Sequence, residues 1–171
     1  MSARRLPIVQ LTRRYELRFF TEGDLPKLLD LCLGNPLYYA HLGEEVTLDS
    51  LRDELTVLPK GKELCDKYFF GLYNAGKLVA AIDLIDGYPE EDVAYLGWLI
   101  LAAERQGRGE GTAIVQELTD FLRKQGFRAV RLACVVGNPQ SARFWEKNGL
   151  VPDGKSSERE RCSVIELERV L

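Results

Sequence analysis

The spacing of apolar residues changes period several times along the chain, and the changes mark out short elements of alternating type. Residues 14–19 carry a strand pattern, and Thr21 with Asp24 three positions on is a capping signature ahead of Leu25, Leu28, Leu29 and Cys32 at helical spacing. That helix is expected to stop near Gly34-Asn35-Pro36. A second is expected after Thr47, with Leu48, Leu51, Leu55 and Leu58 on one face, ending before Pro59. Residues 67–73 and 77–84 flank Asn74-Ala75-Gly76, a connection with glycine last that predicts an antiparallel hairpin. Residues 94–101 read as a buried strand, followed by a glycine cluster. A helix comes next, with a stripe of Ile114, Val115, Leu118, Phe121 and Leu122 that ends at Gly126. Residues 128–136 form the next strand, and the order strand, helix, strand predicts a right-handed crossover between parallel strands. Asn138-Pro139 opens another helix, Asn148-Gly149 closes it, and residues 150–151 and 164–170 supply a last pair of strands. The alternating charges of residues 155–161 read as a surface hairpin loop.

With 171 residues, no internal repeat and no linker tract, the chain is expected to be a single domain over residues 1–171. Its 46% hydrophobic against 29% charged residues suffice for a buried core. Lys and Arg number 23 against 26 Asp and Glu, a net charge of −3 that offers no footprint for nucleic acid or an anionic membrane, so neither is expected as a partner. The longest apolar run, residues 96–103, falls far short of the ~20 residues of a membrane span. The arginine pairs Arg4-Arg5 and Arg13-Arg14 enclose few apolar residues and no small-residue cleavage site follows, so no secretory leader is expected and the cytoplasm is the expected location. Cys32, Cys65, Cys134 and Cys162 lie far apart without Cys-x-x-Cys spacing and read as reduced core thiols, with no metal site expected. His41, among Gly, Asn and Pro turn signals, reads as a surface residue.

The chemistry concentrates in two segments. Gln106-Gly107-Arg108-Gly109-Glu110-Gly111-Thr112 joins a buried strand to a long helix. Glycines there let a ligand's phosphates approach the backbone, the first amides of the helix lack intrahelical partners, and the helix dipole is positive at that end. Arg108 adds charge, although a tight turn alone would also explain the spacing. No Gly-Lys-Ser/Thr follows, and the glycines alternate rather than forming the G-x-G-x-x-G of dinucleotide folds. The second segment, residues 138–150, is a short amphipathic helix directly after a strand, with Asn138 at its entrance where the amide can bond a ligand.

Together these segments resemble the GNAT N-acetyltransferase superfamily. Its Q/R-x-x-G-x-G/A motif matches Gln106, Gly109 and Gly111, and its N-x-x-S-x-x-F-Y-E-K-x-G-F pattern matches Asn138, Ser141, Phe144, Glu146, Lys147 and Gly149. The resemblance implies a single-domain α/β fold: a mixed, mostly antiparallel sheet with helices on both faces and a splayed parallel strand pair. It further implies that acetyl-CoA, as cosubstrate, lies in the splay. The pantetheine arm would bond backbone groups of Leu99, Ile100 and Leu101, which otherwise read as plain core strand, and the pyrophosphate would rest on the amides from Arg108 to Thr112. Gln106, Gly107, Gly109, Glu110, Gly111, Asn138, Ser141, Phe144, Trp145 and Lys147 complete the expected cofactor-binding set. The departure is Trp145, where the family usually carries a Tyr credited with protonating the departing thiolate. An indole N–H donates a hydrogen bond but no proton, whereas a thiol of pKa about 8.5 leaves tolerably without an acid. Trp145 therefore reads as a wall of the thioester pocket or as core packing.

The implied activity is direct acetyl transfer to a primary amine of a small molecule or peptide. No Cys, Ser or His stands in an activated-nucleophile setting, so no covalent acetyl-enzyme is expected. A catalytically weak CoA-binding sensor or interaction protein of the same fold stays open because of Trp145, and a homodimer is left open. A binder of some other phosphate ligand would leave the residue 138–150 match unexplained. A Lys-like amine of pKa about 10.4 must lose its proton before attack, so a base or a water chain to one is expected. Alternation puts Tyr95, Gly97 and Leu99 on one face, where the missing side chain at Gly97 leaves room for an acceptor. The candidate catalytic residues are Tyr95, otherwise a half-buried core tyrosine, and Asp83, acting through water and otherwise a solvated charge. Glu44 and Glu45 on one side, and Asp83, Asp86, Glu90, Glu91 and Asp92 on the other, suggest an acidic mouth and a cationic acceptor, though solubility also explains them.

Overall fold

Seven strands form one sheet in the computed structural model, which describes residues 5–171; Arg4 of the first arginine pair lies outside the described residues. The strands are β1 (Glu16–Phe19), β2 (Lys67–Asn74), β3 (Lys77–Asp86), β4 (Val93–Leu101), β5 (Ala129–Val135), β6 (Val151–Glu158) and β7 (Ser163–Val170), in the spatial order β1-β2-β3-β4-β5-β7-β6. Every neighbouring pair is antiparallel except β4 and β5, which run parallel as the crossover predicts. The helices are α1 (Leu25–Leu33), α2 (Pro36–Leu42), α3 (Leu48–Glu54), α4 (Glu110–Lys124) and α5 (Pro139–Lys147).

The two-residue period of a strand divides the core in two. Along β2, Tyr68, Phe70 and Leu72 face one cluster with Ile114, Leu118 and Leu122 of α4, while Phe69 and Tyr73 face a second with Leu28 and Cys32 of α1 and Leu51 of α3. Helices therefore cover both faces, as the expected fold class requires. Phe70, Leu28 and Leu122 are completely buried.

Four expectations need correction. The β2–β3 hairpin turns on two residues rather than three, because Asn74 pairs with Lys77 and only Ala75 and Gly76, at φ 50° and 78°, form the turn. Such a turn favours Asn-Gly, and an alanine there occupies a left-handed conformation that its Cβ opposes. Ala75→Asn is therefore expected to raise stability by about 0.5–1 kcal/mol in urea unfolding. Secondly, residues 36–42 form helix α2 rather than a turn-rich connection. Asn35 precedes Pro36 at the first helical position and Gly43 closes the helix at φ 76°, the same start and stop chemistry that identifies α5. Thirdly, residues 155–158 belong to β6 and only 159–162 form the loop; β6 is mostly exposed, so it shows no alternation to read. Fourthly, only Cys32 and Cys134 are core thiols. Cys65 is exposed and Cys162 partly so, and all four are free.

Two irregularities position the site. Asp83 pairs with Trp98 and Leu84 with Leu96, so Gly97 is an extra residue that bulges β4. The β4–β5 pairing covers Val93–Ala129, Ala94–Val130 and Tyr95–Arg131 and then stops, so the strands diverge beyond Tyr95. At the closed end Arg131, only 10% exposed, pairs with Glu168 of β7 at 3.3 Å and with Asp153 of β6, fastening three strands together.

Candidate active site

A cleft of about 490 Å³ opens where β4 and β5 part. Leu99, Ile100 and Leu101 line it from β4, Gln106, Gly107, Gly109, Gly111 and Thr112 from the glycine segment and the start of α4, and Asn138, Ser141, Phe144 and Lys147 from α5. The fold thus brings both sequence motifs to one cavity. Gln140 and residues 34–38 line it as well, and sequence reasoning missed them. The signal for the latter was Asn35-Pro36, which ends α1 and starts α2 at once.

Gly107 and Gly109 stand at φ 76° and 78°, where side chains are disfavoured, and a Cβ on Gly111 would approach the Phe144 ring to 3.2 Å. Gly109 is the N-cap of α4 and offers no capping side chain; the helical ladder begins with the Ala113 N–H donating to the Gly109 carbonyl. The amides of Glu110, Gly111 and Thr112 are left as a donor group at the positive end of a fifteen-residue helix.

Several expected cofactor residues have other partners. The Gln106 amide donates to Asn35 Oδ1 at 2.6 Å and to the Leu101 carbonyl at 2.9 Å, tying the glycine segment to α2 and to the end of β4. Asn138 Oδ1 accepts from the Ser141 N–H at 3.2 Å and so caps α5. The Glu110 carboxylate turns to the Tyr15 hydroxyl at 2.6 Å and to Arg105 at 3.0 Å. Burial and that bond push the Tyr15 phenol up to about 12. Arg108 is exposed and does not line the cleft. Of the two readings of Trp145, the structure has core packing: the indole is buried in the cluster of α4 and β5, away from the cleft lining. Successive helical residues point about 100° apart, so with Phe144 facing the cleft Trp145 faces inward.

Across the sheet, on the face of the second core cluster, lies a group of ionisable residues around the bulge. Gly97 is exposed, and a Cβ there would stand 2.8 Å from Asp83 Oδ2. Asp83 is buried rather than solvated and pairs with the Lys67 ammonium at 2.9 Å; the two side chains are 9% and 3% exposed. Its Oδ1 is buried without a hydrogen-bond partner. Burial holds the Asp83 carboxyl above its ordinary range, against the pull of Lys67, and Glu54 of α3 is raised by burial with the same cation opposing. Tyr95 donates to Glu166 of β7 at 3.4 Å and packs edge-on to Tyr88. Burial, with the Glu166 carboxylate adding to it, holds the Tyr95 phenol above its ordinary range. The acidic mouth is thinner than the sequence suggests: Asp86 is buried, Glu90 and Asp92 each pair with Arg128 at 3.0 Å, and Arg159 lies near Tyr38, as Glu44 does, and near Tyr95. His41 sits in the last turn of α2, partly buried.

Among the described residues no group of acids, Cys and His could hold a metal ion, and no helix is long and apolar enough to cross a membrane. A search of curated proteins found no match. Solved structures do match. An acetyltransferase from Thermus thermophilus is 26% identical, with a TM-score of 0.71, covering 91% of this chain and 96% of that one. A Salmonella typhimurium acetyltransferase described as modifying the N-terminal serine of ribosomal protein L7/L12 is 19% identical, with a TM-score of 0.71 and coverage of 95% and 98%. The PaiA N-acetyltransferase of Thermoplasma acidophilum, solved with coenzyme A, is 21% identical, with a TM-score of 0.65 and coverage of 91% and 98%. The sequence model of the Acetyltransferase (GNAT) family matches residues 36–150, from the start of α2 through the motif helix α5, and the chain belongs to that family of acyltransferases.

Proposed function

We propose that the protein transfers an acetyl group from acetyl-CoA directly to a primary amine of a small molecule or peptide. The observation that carries this reading is the cleft between β4 and β5, which joins both motifs to a helix start whose amides have no partners. The cavity's chemistry suits the cosubstrate. Left-handed glycines and the bare N-cap leave backbone donors open to a pyrophosphate, and the amides from Arg108 to Thr112 would receive it. Because the Leu101 carbonyl already accepts from Asn35 and Gln106, bonds to the pantetheine arm would fall to Leu99 and Ile100. Thr112, Ser141 and Lys147 add polar groups to the walls, and Phe144 an apolar one. Bound acetyl-CoA would supply an acyl thioester, open to attack by an amine.

Buried Trp145 leaves the family's phenol out of the cleft, which is the observation favouring the sensor alternative. The test is thiol release from acetyl-CoA with spermidine, lysine, an aminoglycoside and a peptide bearing a free N-terminus, at two salt concentrations. Turnover above background with one or more of these is expected. With Arg128 offsetting Glu90 and Asp92, rates are expected to fall less than tenfold between low and physiological salt. Acetyl-CoA binding without release to any amine would favour the sensor.

A further inference from the structure

We infer that Tyr15 and Arg105 are positioning residues for the cosubstrate: together they hold the Glu110 carboxylate off the donor amides at the start of α4, where it would compete with a pyrophosphate and repel it. The inference rests on the acetyl-CoA reading above and adds to it two residues outside both sequence motifs.

Glu110 is the first residue of α4, and its own amide belongs to the donor group with those of Gly111 and Thr112. A carboxylate in the first turn of a helix is attracted by the free N–H groups and the positive dipole end there, the same features that favour a phosphate. Left free, the Glu110 side chain is a rival for those amides and a like charge beside any anion they receive.

The fold takes that side chain elsewhere. Glu110 Oε1 accepts from the Tyr15 hydroxyl at 2.6 Å and from Arg105 Nη1 at 3.0 Å, and the side chain is 16% exposed. Gly107, Gly109, Gly111 and Thr112 line the cleft, whereas Glu110 does not. Tyr15 lies 95 positions away in sequence and packs against the core cluster that contains Ile114 and Leu118 of α4. The adjacent Arg14 pairs with Glu117, about two turns further along the helix, so residues 14 and 15 grip one side of α4 at two points. Burial first, and then the bond to Glu110, push the Tyr15 phenol up to about 12, which keeps it a donor across the neutral range. Arg105 ends the short turn Ala103–Arg105 after β4 and supplies the opposite charge. A neutral donor and a cation on one carboxylate oxygen fix its direction and offset its charge, which leaves the amides open.

The test measures acetyl-CoA affinity of the full chain by calorimetry at low and physiological salt, with thermal unfolding of the free protein as the check on folding. Arg105→Gln is expected to weaken binding about tenfold, and Tyr15→Phe, which keeps the Arg105 pair, about threefold to tenfold. Both losses relative to wild type should shrink at the higher salt, because the repulsion they release is screened. Adding Glu110→Gln to either variant is expected to recover most of its loss, which neither a loosened loop nor a lost direct contact of Arg105 with the pyrophosphate would allow. If Arg105→Gln does not fold, Tyr15→Phe, which removes a single oxygen, decides by the same rescue. Affinities of both variants within twofold of wild type overturn the inference alone, as do losses that persist undiminished beside Glu110→Gln. No acetyl-CoA binding by the wild type overturns the reading of the cleft and this inference together.

Discussion

Gly109→Val is expected to weaken acetyl-CoA binding by about a hundredfold, or about 2.7 kcal/mol. Gly109 stands at φ 78° as the N-cap of α4, and nothing lies within 4 Å of the position its Cβ would take. The substitution therefore meets no clash, and its cost lies in the backbone. A left-handed conformation costs a residue with a Cβ about 1–2 kcal/mol, and more when that carbon is branched. The loop relieves this by returning φ to negative values, which turns the amides at the start of α4 away from their common direction. Folding stability is expected to fall by about 1–2 kcal/mol, since those amides have no partner in the free protein. Gly109→Ala should lie between the two. Calorimetry showing wild-type affinity in folded Gly109→Val would remove the glycine segment from the binding site.

A second large effect is expected far from the chemistry. Arg131→Met should cost about 3 kcal/mol of stability in urea unfolding, the lower end of what breaking a buried ion pair removes, because Glu168 keeps a second partner in Arg128. The loss arises from Asp153, 12% exposed within the pair, which would lose its cation. Burial pushes the Asp153 carboxyl up, but the Lys155 N–H and Arg131 outweigh it and hold the group below its ordinary range. An acid lowered on folding contributes stability above its unfolded pKa of about 3.9 and loses it as pH falls through the folded value. The gap between wild type and Arg131→Met should therefore narrow below about pH 4, and adding Asp153→Asn to Arg131→Met should recover part of the loss at pH 7. An additive double variant would show that the two side chains are not coupled.

The proposed cofactor half of the site is legible in the sequence because backbone conformation carries it. Left-handed glycines, a bare helix start and an Asn-Pro cap each leave a mark on residue type, and the structure gathers those marks into one cleft. The candidate residues expected on the acceptor side are less legible. Asp83 looks like a solvated charge until its tertiary partner appears, and Lys67 lies sixteen positions away, brought beside it by the pairing of β2 with β3. The Gly97 bulge is invisible to alternation, which assumes an unbroken register. Trp145 occupies the motif position where the family usually has Tyr, yet its direction is set by the rotation of α5 against the sheet, which the motif does not encode. Helix α2 escaped because the same three residues, Gly34 to Pro36, both end one helix and begin the next.

Whether the β4–β5 cleft takes coenzyme A rather than anions in general is read most directly from calorimetric titration of the wild-type protein with acetyl-CoA, CoA, ATP and NAD. Thermal unfolding at 100 times each measured Kd accompanies it. Acetyl-CoA and CoA should each bind one to one and stabilise the fold by about 2.7 kcal/mol at that excess. ATP and NAD, which bring phosphates but no pantetheine arm for Leu99 and Ile100, should bind at least tenfold more weakly. Equal affinity for all four, or no binding of CoA, would contradict a coenzyme A site in this cleft.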